Sequence, residues 1–462
     1  LCCVRSAESI ARDLDAIVYP VLTLPTEIAS EIFVHYVESH PTRNPLRLTW
    51  VLAISTCRLW SRWTQCISDF HKGSTTNAAN SLPIWLSRTG GLPLNLEFHF
   101  TYMPPQDPRS KARVESLYET VSRFSSQLES LTLSSLYSIS LPACPFPRLK
   151  KLSIADGLLS SDEDDRPHLD APHLDAPCLR EVVLKDECAK ALQTALPKTD
   201  LTKLVLGANV ADCLAILAHT PNLQELDMVS NDAGDVGPSP TFTVLPRLDS
   251  IRLGRDASVE ILPYLTLPAL ECLSIRVDPV THSTANWVNE LVTRSGCTLR
   301  QVDLFLRHAD DGWLDDFLDS VPLHSLRDLA LRAPDCNLGH LLRNVAEQPE
   351  NQLPALESLA IHDCQFYVNL ADLVDMLAAR TKEVPGVAPL KSFQLSFGMA
   401  DGPQAGRGGE VDMKPSSWVD RKIKAALEKL HDLRARGLRV EISSDFETLG
   451  SGDIDSKIVS HT

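Results

Sequence analysis

Leu245-Pro246-Arg247-Leu248-Asp249-Ser250-Ile251-Arg252-Leu253 and Leu267-Pro268-Ala269-Leu270-Glu271-Cys272-Leu273-Ser274-Ile275 state one phrase twice, 22 residues apart. Each is a proline turn followed by L-x-x-L-x-L, whose last three apolar-polar-apolar places have the period of a half-buried strand. With any aliphatic or aromatic residue allowed at the apolar places, the template runs outward in both directions. Upstream it reads Leu128-Leu131-Leu133, Leu149-Leu152-Ile154, Leu179-Val182-Leu184, Leu201-Leu204-Leu206 and Leu223-Leu226-Met228. Downstream it reads Leu299-Val302-Leu304, Leu326-Leu329-Leu331, Leu356-Leu359-Ile361 and Leu390-Phe393-Leu395. Successive starts lie 21 to 34 residues apart, and eleven matches nearly in phase make this a repeat architecture.

Proline cannot give an N–H to a ladder and breaks a helix, so Phe146-Pro147, Ala176-Pro177, Thr220-Pro221, Leu245-Pro246, Leu267-Pro268 and Leu353-Pro354 mark turns that deliver the chain into strands. Between strands, apolar residues fall at helical steps: Val210, Leu214, Leu217; Trp287, Val288, Leu291; Trp313, Leu314, Phe317, Leu318; Leu370, Leu373, Met376, Leu377. The unit is strand, turn, helix, and one unit alone cannot bury its apolar stripe. The period is that of leucine-rich repeats. The expected fold class is therefore α/β, a right-handed leucine-rich-repeat solenoid or horseshoe with parallel strands on the concave face. Leu94–Phe98 is expected to start the sheet and Leu438–Ile442 to end it. Two stretches interrupt the pattern. Ser160–Asp165 with the tandem Pro167–Pro177 reads as a solvated acidic loop, with Ser160 or Ser161 as candidate phosphorylation sites. Gly402–Gly409 reads as a linker before the helix-prone Trp418–Arg436.

Strand alternation sends the polar residues between and after the apolar places to the concave wall. Lys203, Glu225, Asp227, Arg252, Arg276, Asp303, Phe305, Arg332 and His362 are the candidate target-binding residues there. Mixed charge with one aromatic suits a protein or peptide ligand better than a polyanion. The chain has 44 Lys+Arg against 60 Asp+Glu and a net charge of −16. That balance, with no basic block, argues against nucleic acid as a partner. No apolar run reaches the roughly 18 residues of a membrane span. The twelve cysteines form no C-x-x-C pair, and no nucleophile elbow, metalloprotease helix or phosphate-binding loop occurs. His35/His40 and His168/His173 are five apart, a poor spacing for shared metal ligation on one helix face. The expectation is a non-enzyme with no metal and no cofactor. Charged residues at Arg5, Glu8, Arg12, Asp13 and Asp15 replace the apolar core of a signal peptide. A cytoplasmic or nuclear protein is expected, its native start lost upstream of Leu1, since Met103 is the first methionine.

Ahead of the repeats, Leu24-Pro25-Thr26-Glu27-Ile28-Ala29-Ser30-Glu31-Ile32-Phe33 reads as a short amphipathic helix with a proline and a carboxylate in its first turn. Leu46–Trp63 carries more apolar residues than one stripe holds, which leaves surface for a partner. Leu24-Pro25-x-Glu27-Ile28, then Ile32-Phe33 and later Cys57-Arg58-Leu59-Trp60, resembles an F-box, with Thr56 in place of the usual valine before the Cys-Arg pair. The segment Leu14–Leu22 looks like the lead-in of the expanded F-box-like families of mushroom-forming fungi. The resemblance covers roughly residues 14–70. It implies a substrate-recognition subunit of a cullin-RING ubiquitin ligase. Leu24, Pro25, Glu27, Ile28, Ile32 and Phe33 would lie at or beside the SKP-family adaptor, Trp60 would close the helical core, and the repeats would hold a protein target. The alternative is a leucine-rich scaffold outside the ubiquitin system. The implied division is a lead-in at 1–21, an F-box-like module at 22–70, a connector and first strand at 71–127, repeats at 128–400, a loop at 401–417, and a C-terminal helix, strand and tail at 418–462.

Overall fold

The computed structural model describes residues 86, 91, 93–100, 115, 118–135, 143–156, 174–185, 200–229, 242–254, 256–276, 282–306, 312–332, 338–362, 370–382, 384–397 and 428–444. The chain divides into two compact units, Leu1–Leu179 and Arg180–Thr462.

In the first unit, strands β1 (Leu94–Phe100), β2 (Leu128–Ser135) and β3 (Lys151–Asp156) pair in parallel in chain order. Leu96 is aligned with Leu131, Leu131 with Leu152 and Leu133 with Ile154, and all of these side chains are buried. Residues 118–123 are helical. The proline turns close as the sequence predicts: Leu149 N–H donates to Phe146 C=O at 3.2 Å and Leu179 N–H to Ala176 C=O at 3.1 Å. Proline sits at the second place of each turn, where its fixed φ is already correct.

The second unit holds strands β4 (Glu181–Lys185), β5 (Lys203–Leu206) and β6 (Glu225–Val229), then β8 (Ser250–Gly254), β10 (Cys272–Arg276) and β11 (Gln301–Phe305). It continues with β12 (Asp328–Arg332), β13 (Ser358–His362), β14 (Ser392–Phe397) and β15 (Arg439–Ser444). Every one of these neighbours pairs in parallel. Two short strands, β7 (Thr243–Val244) and β9 (Leu265–Thr266), make a separate parallel pair. The turns Thr220–Leu223, Leu245–Leu248, Leu267–Leu270 and Leu353–Leu356 repeat the closure seen in the first unit, at 3.1–3.4 Å.

One backbone device sets the register. The carbonyl of the residue leading into each strand accepts two consecutive N–H groups of the next: Thr202 from Gln224 and Glu225, Gln224 from Asp249 and Ser250, Asp249 from Glu271 and Cys272. Glu271, Arg300, Arg327 and Glu357 continue it, with all of these bonds at 2.7–3.1 Å. Because a one-residue slip would turn each strand inside out, this alignment keeps every template leucine on one face. Leu204, Leu226, Ile251, Leu273, Val302, Leu329, Leu359 and Phe393 stand in one buried row. Leu206, Met228, Leu253, Ile275, Leu304, Leu331, Ile361 and Leu395 stand in the next. Each such side chain contributes about 1.5–3 kcal/mol on burial.

Helices α1 (Val210–Leu217), α2 (His282–Ser295), α3 (Trp313–Ser320) and α5 (Leu370–Arg380) fill connections where the apolar spacing predicts them, and α4 (Gly339–Glu347) fills one for which no helix is read from the sequence. Asn209 caps α1, accepting from Asp212 N–H at 2.8 Å. Trp313 and Phe317, both fully buried, stack at 5.1 Å in the core under α3. The strand–turn–helix expectation departs from the structure at Asp256–Tyr264, which is a 3₁₀ helix ending in Pro263–Tyr264. The connection there ends in a proline that cannot give an N–H.

Basic residues in the last turns of two helices hold the carbonyls of neighbouring segments. Arg294 of α2 donates to Leu262 and Leu265 C=O at 2.7–3.0 Å, under the ring of Phe242. Arg380 of α5, 1% exposed, donates to Leu356, Ala388 and Pro349 C=O at 2.9, 3.2 and 3.4 Å. At the C-terminal end residues 428–435 are helical, and Gly437 (φ +101°) turns the chain into β15. Leu438 N–H reaches Leu433 C=O and Gly437 N–H reaches Arg434 C=O, with Leu433 and Leu438 buried together. That pairing closes the helix end, and glycine is the residue it requires. The remainder of the predicted helix 418–436, the loop at 401–417 and the whole of residues 1–70 lie outside the described residues.

Candidate functional site

The face of the sheet opposite the buried leucines carries every candidate target-binding residue, all of them in the second unit. In each strand the outward places fall in three rows, because neighbouring strands are aligned residue for residue. Lys203, Glu225, Ser250, Cys272, Gln301 and Asp328 belong to the first row. Asp227, Arg252, Ser274, Asp303, Ala330 and Ala360 form the second. Gly254, Arg276, Phe305, Arg332 and His362 form the third, at the C-terminal ends of the strands.

Adjacent strands place complementary side chains within reach, as cross-strand pairing favours. Lys203 Nζ lies 2.8 Å from Glu225 Oε2, and that hydrogen bond raises the lysine pKa above its usual range. Arg252 Nη1 donates to Asp227 Oδ2 at 3.1 Å. Asp303 accepts from Arg332 Nε at 2.8 Å on one oxygen and from Ser274 Oγ at 3.5 Å on the other. Arg276 stands over the ring of Phe305 at 5.3 Å, so the aromatic expected to be open is half-buried beneath a guanidinium. His362 Nδ1 and Ser396 Oγ are 3.3 Å apart. Eight of the nine predicted residues thus touch another of the nine; His362 pairs instead with a serine that the sequence did not single out.

Sequence reasoning also missed the row leading into the strands. Asp249, Glu271, Arg300, Arg327, Glu357 and Lys391 carry the carbonyls that set the register, and several pair across strands. Arg300 Nη1 lies 3.5 Å from Glu271 Oε2, and Lys391 Nζ lies 2.6 Å from Glu357 Oε2, a contact that lowers the glutamate pKa. The signal was present in the template, since the second residue of L-x-x-L directly precedes the strand turn after turn. Burial, then the nearby Glu225 and Glu271, push the Asp249 carboxyl upward.

Cys272, the thiol of this face, has its pKa raised by burial and by Asp249, Glu271 and Asp328, which keeps it from the thiolate form a nucleophile needs. Among the described residues no group of three or more His, Cys, Asp or Glu is placed to hold a metal ion. Five described cysteines, Cys144, Cys178, Cys213, Cys272 and Cys297, are free thiols. Among the described residues no helix is long and apolar enough to cross a membrane. The adaptor-contact candidates Leu24, Pro25, Glu27, Ile28, Ile32, Phe33 and Trp60 lie outside the described residues.

No protein-family model and no curated protein matches this chain.

Proposed function

We propose that this chain is the target-recognition subunit of a cullin-RING ubiquitin ligase. In this reading residues 22–70 dock as an F-box-like module onto the SKP-family adaptor. The repeats stack as a right-handed leucine-rich-repeat solenoid whose strand face holds a protein target. The observation that carries it is the outward face of β5–β13, where one polar or aromatic side chain after another is held in register by its neighbour on the next strand. Such a face is prearranged for a broad, chemically mixed ligand. Its contribution to catalysis is to bring a target close to a transfer that other subunits perform.

Co-expression of the full chain with the adaptor, followed by affinity purification, tests the reading. The wild-type chain retains the adaptor, Leu24→Asp with Ile28→Asp loses it, and Asp303→Arg on the strand face leaves it bound. Retention by the double variant refutes the assigned contact. A wild-type chain that ignores the adaptor at high micromolar concentration while retaining another partner is a leucine-rich scaffold outside the ubiquitin system.

A further inference from the structure

The three outward rows are unequal in size and charge. Over β8 to β13 the first row holds Ser250, Cys272, Gln301, the exposed Asp328 and Ser358, and the second holds Arg252, Ser274, Asp303, Ala330 and Ala360. Apart from Arg252, Asp303 and Asp328 these side chains are small or uncharged, and they leave a shallow bed. The third row, from β10 to β13, is Arg276, Phe305, Arg332 and His362, a ridge of bulky side chains without a carboxylate. Where carboxylates occur in the second row they lie low. Asp227 and Asp303 are 25% and 21% exposed, while their partners Arg252 and Arg332 are 65% and 48% exposed. Over the second and third rows an approaching chain therefore meets guanidinium groups before carboxylates. Arg252 spends only Nη1 on Asp227, and among the described residues Arg276 is paired with no carboxylate.

From this geometry we infer that the ridge binds an extended acidic segment of the target, lying in the bed and running across the strands, with anionic side chains set against Arg276 and Arg332. The spacing specifies the ligand. Arg276 and Arg332 belong to strands two apart, β10 and β12, which is about 10 Å at the usual strand separation. An extended chain of the polyproline II form advances about 3.1 Å per residue and returns to the same side every third residue, so the two anions are three residues apart in the ligand, acid-x-x-acid. Arginine forks suit either carboxylate or phosphate. The inference rests on the strand face being the target-binding face and does not depend on the adaptor contact.

The test is fluorescence anisotropy with the full chain and labelled twelve-residue peptides: glutamate at every third place, glutamine in the same places, lysine in the same places, and phosphoserine in the same places. The glutamate peptide binds more tightly than the glutamine peptide by about tenfold or more, as expected for loss of charge-assisted contacts, and its affinity falls with added salt. Arg276→Glu and Arg332→Ala each weaken it by about tenfold, while circular dichroism shows the fold intact, as expected for exposed side chains. Binding of the phosphoserine peptide alone supports the same ridge and assigns the anion to a modification. Asp278, Asp335 and Asp363 follow the ridge in the chain and lie outside the described residues; their Asn variants bind the glutamate peptide at least as well as the wild type does. Equal affinity for the glutamate, glutamine and phosphoserine peptides, preference for the lysine peptide, or indifference to Arg276→Glu overturns the inference. A chain that binds the glutamate peptide but not the adaptor sinks the ligase reading alone, and one that binds the adaptor but neither acidic peptide sinks this one alone.

Discussion

The two faces of the same strands, β5 to β14, answer to different rules. Toward the helices every template place is aliphatic or aromatic and buried, and its partner on the next strand is interchangeable in kind: Leu204, Leu226, Ile251, Leu273. Toward solvent no two neighbouring strands carry the same set, and the charged and aromatic side chains meet chemically different partners: Lys203 with Glu225, Asp227 with Arg252, Arg276 with Phe305. A repeat fold needs only one of its faces to be uniform. The other is free to differ from unit to unit without loss of the fold, and that freedom is what a recognition surface uses.

The comparison can be broken by substitutions whose effects should fall steeply from one face to the other. Trp313→Ala, which empties a fully buried site stacked on Phe317, is expected to destabilise by about 3–5 kcal/mol in urea denaturation. Arg380→Ala removes the donors of three backbone carbonyls and should cost about 2–3 kcal/mol. Gly437→Ala forces a side chain into φ +101°, with an expected loss of about 1–2 kcal/mol.

Asp303→Asn, on the open face, should change stability by less than about 1 kcal/mol, since its partner Arg332 is half exposed. An Asp303 variant as damaging as Trp313→Ala would mean that the open face also holds the fold, and the distinction would collapse. The smallest effect is pH-dependent. Lys391 lowers the Glu357 pKa in the folded chain, so the pair stabilises above the ordinary glutamate range near about pH 4.3 and loses that contribution as pH falls through the lower folded value. Lys391 is largely open to water and Glu357 partly so, at 64% and 31%, which holds the contribution below about 1 kcal/mol. Glu357→Gln should remove this part of the acid dependence in a pH series of thermal melts.

The apolar periods of the sequence were enough to place the strands, the proline turns and helices α1, α2, α3 and α5, because burial of leucine and the missing N–H of proline act within a few residues. Alternation likewise sent Lys203 through His362 to the solvent face, since side chains must alternate along a strand. Other features needed the assembled chain. The 3₁₀ helix at Asp256–Tyr264 and the β7–β9 pair depend on how a short connection spans its neighbours. So do the carbonyl contacts of Arg294 and Arg380, whose partners lie 24 to 32 residues away when the local contact of Arg380 with Ala388 is set aside.

By itself, then, the sequence determined which residues of each repeat face inward and which face water, because that choice is made residue by residue through the period of the chain. Only the tertiary structure decided which outward residue meets which. The register between strands is set by backbone carbonyls such as Thr202 and Glu271, and a pairing between residues 25 to 29 positions apart, such as Asp227 with Arg252 or Asp303 with Arg332, exists only once that register has formed.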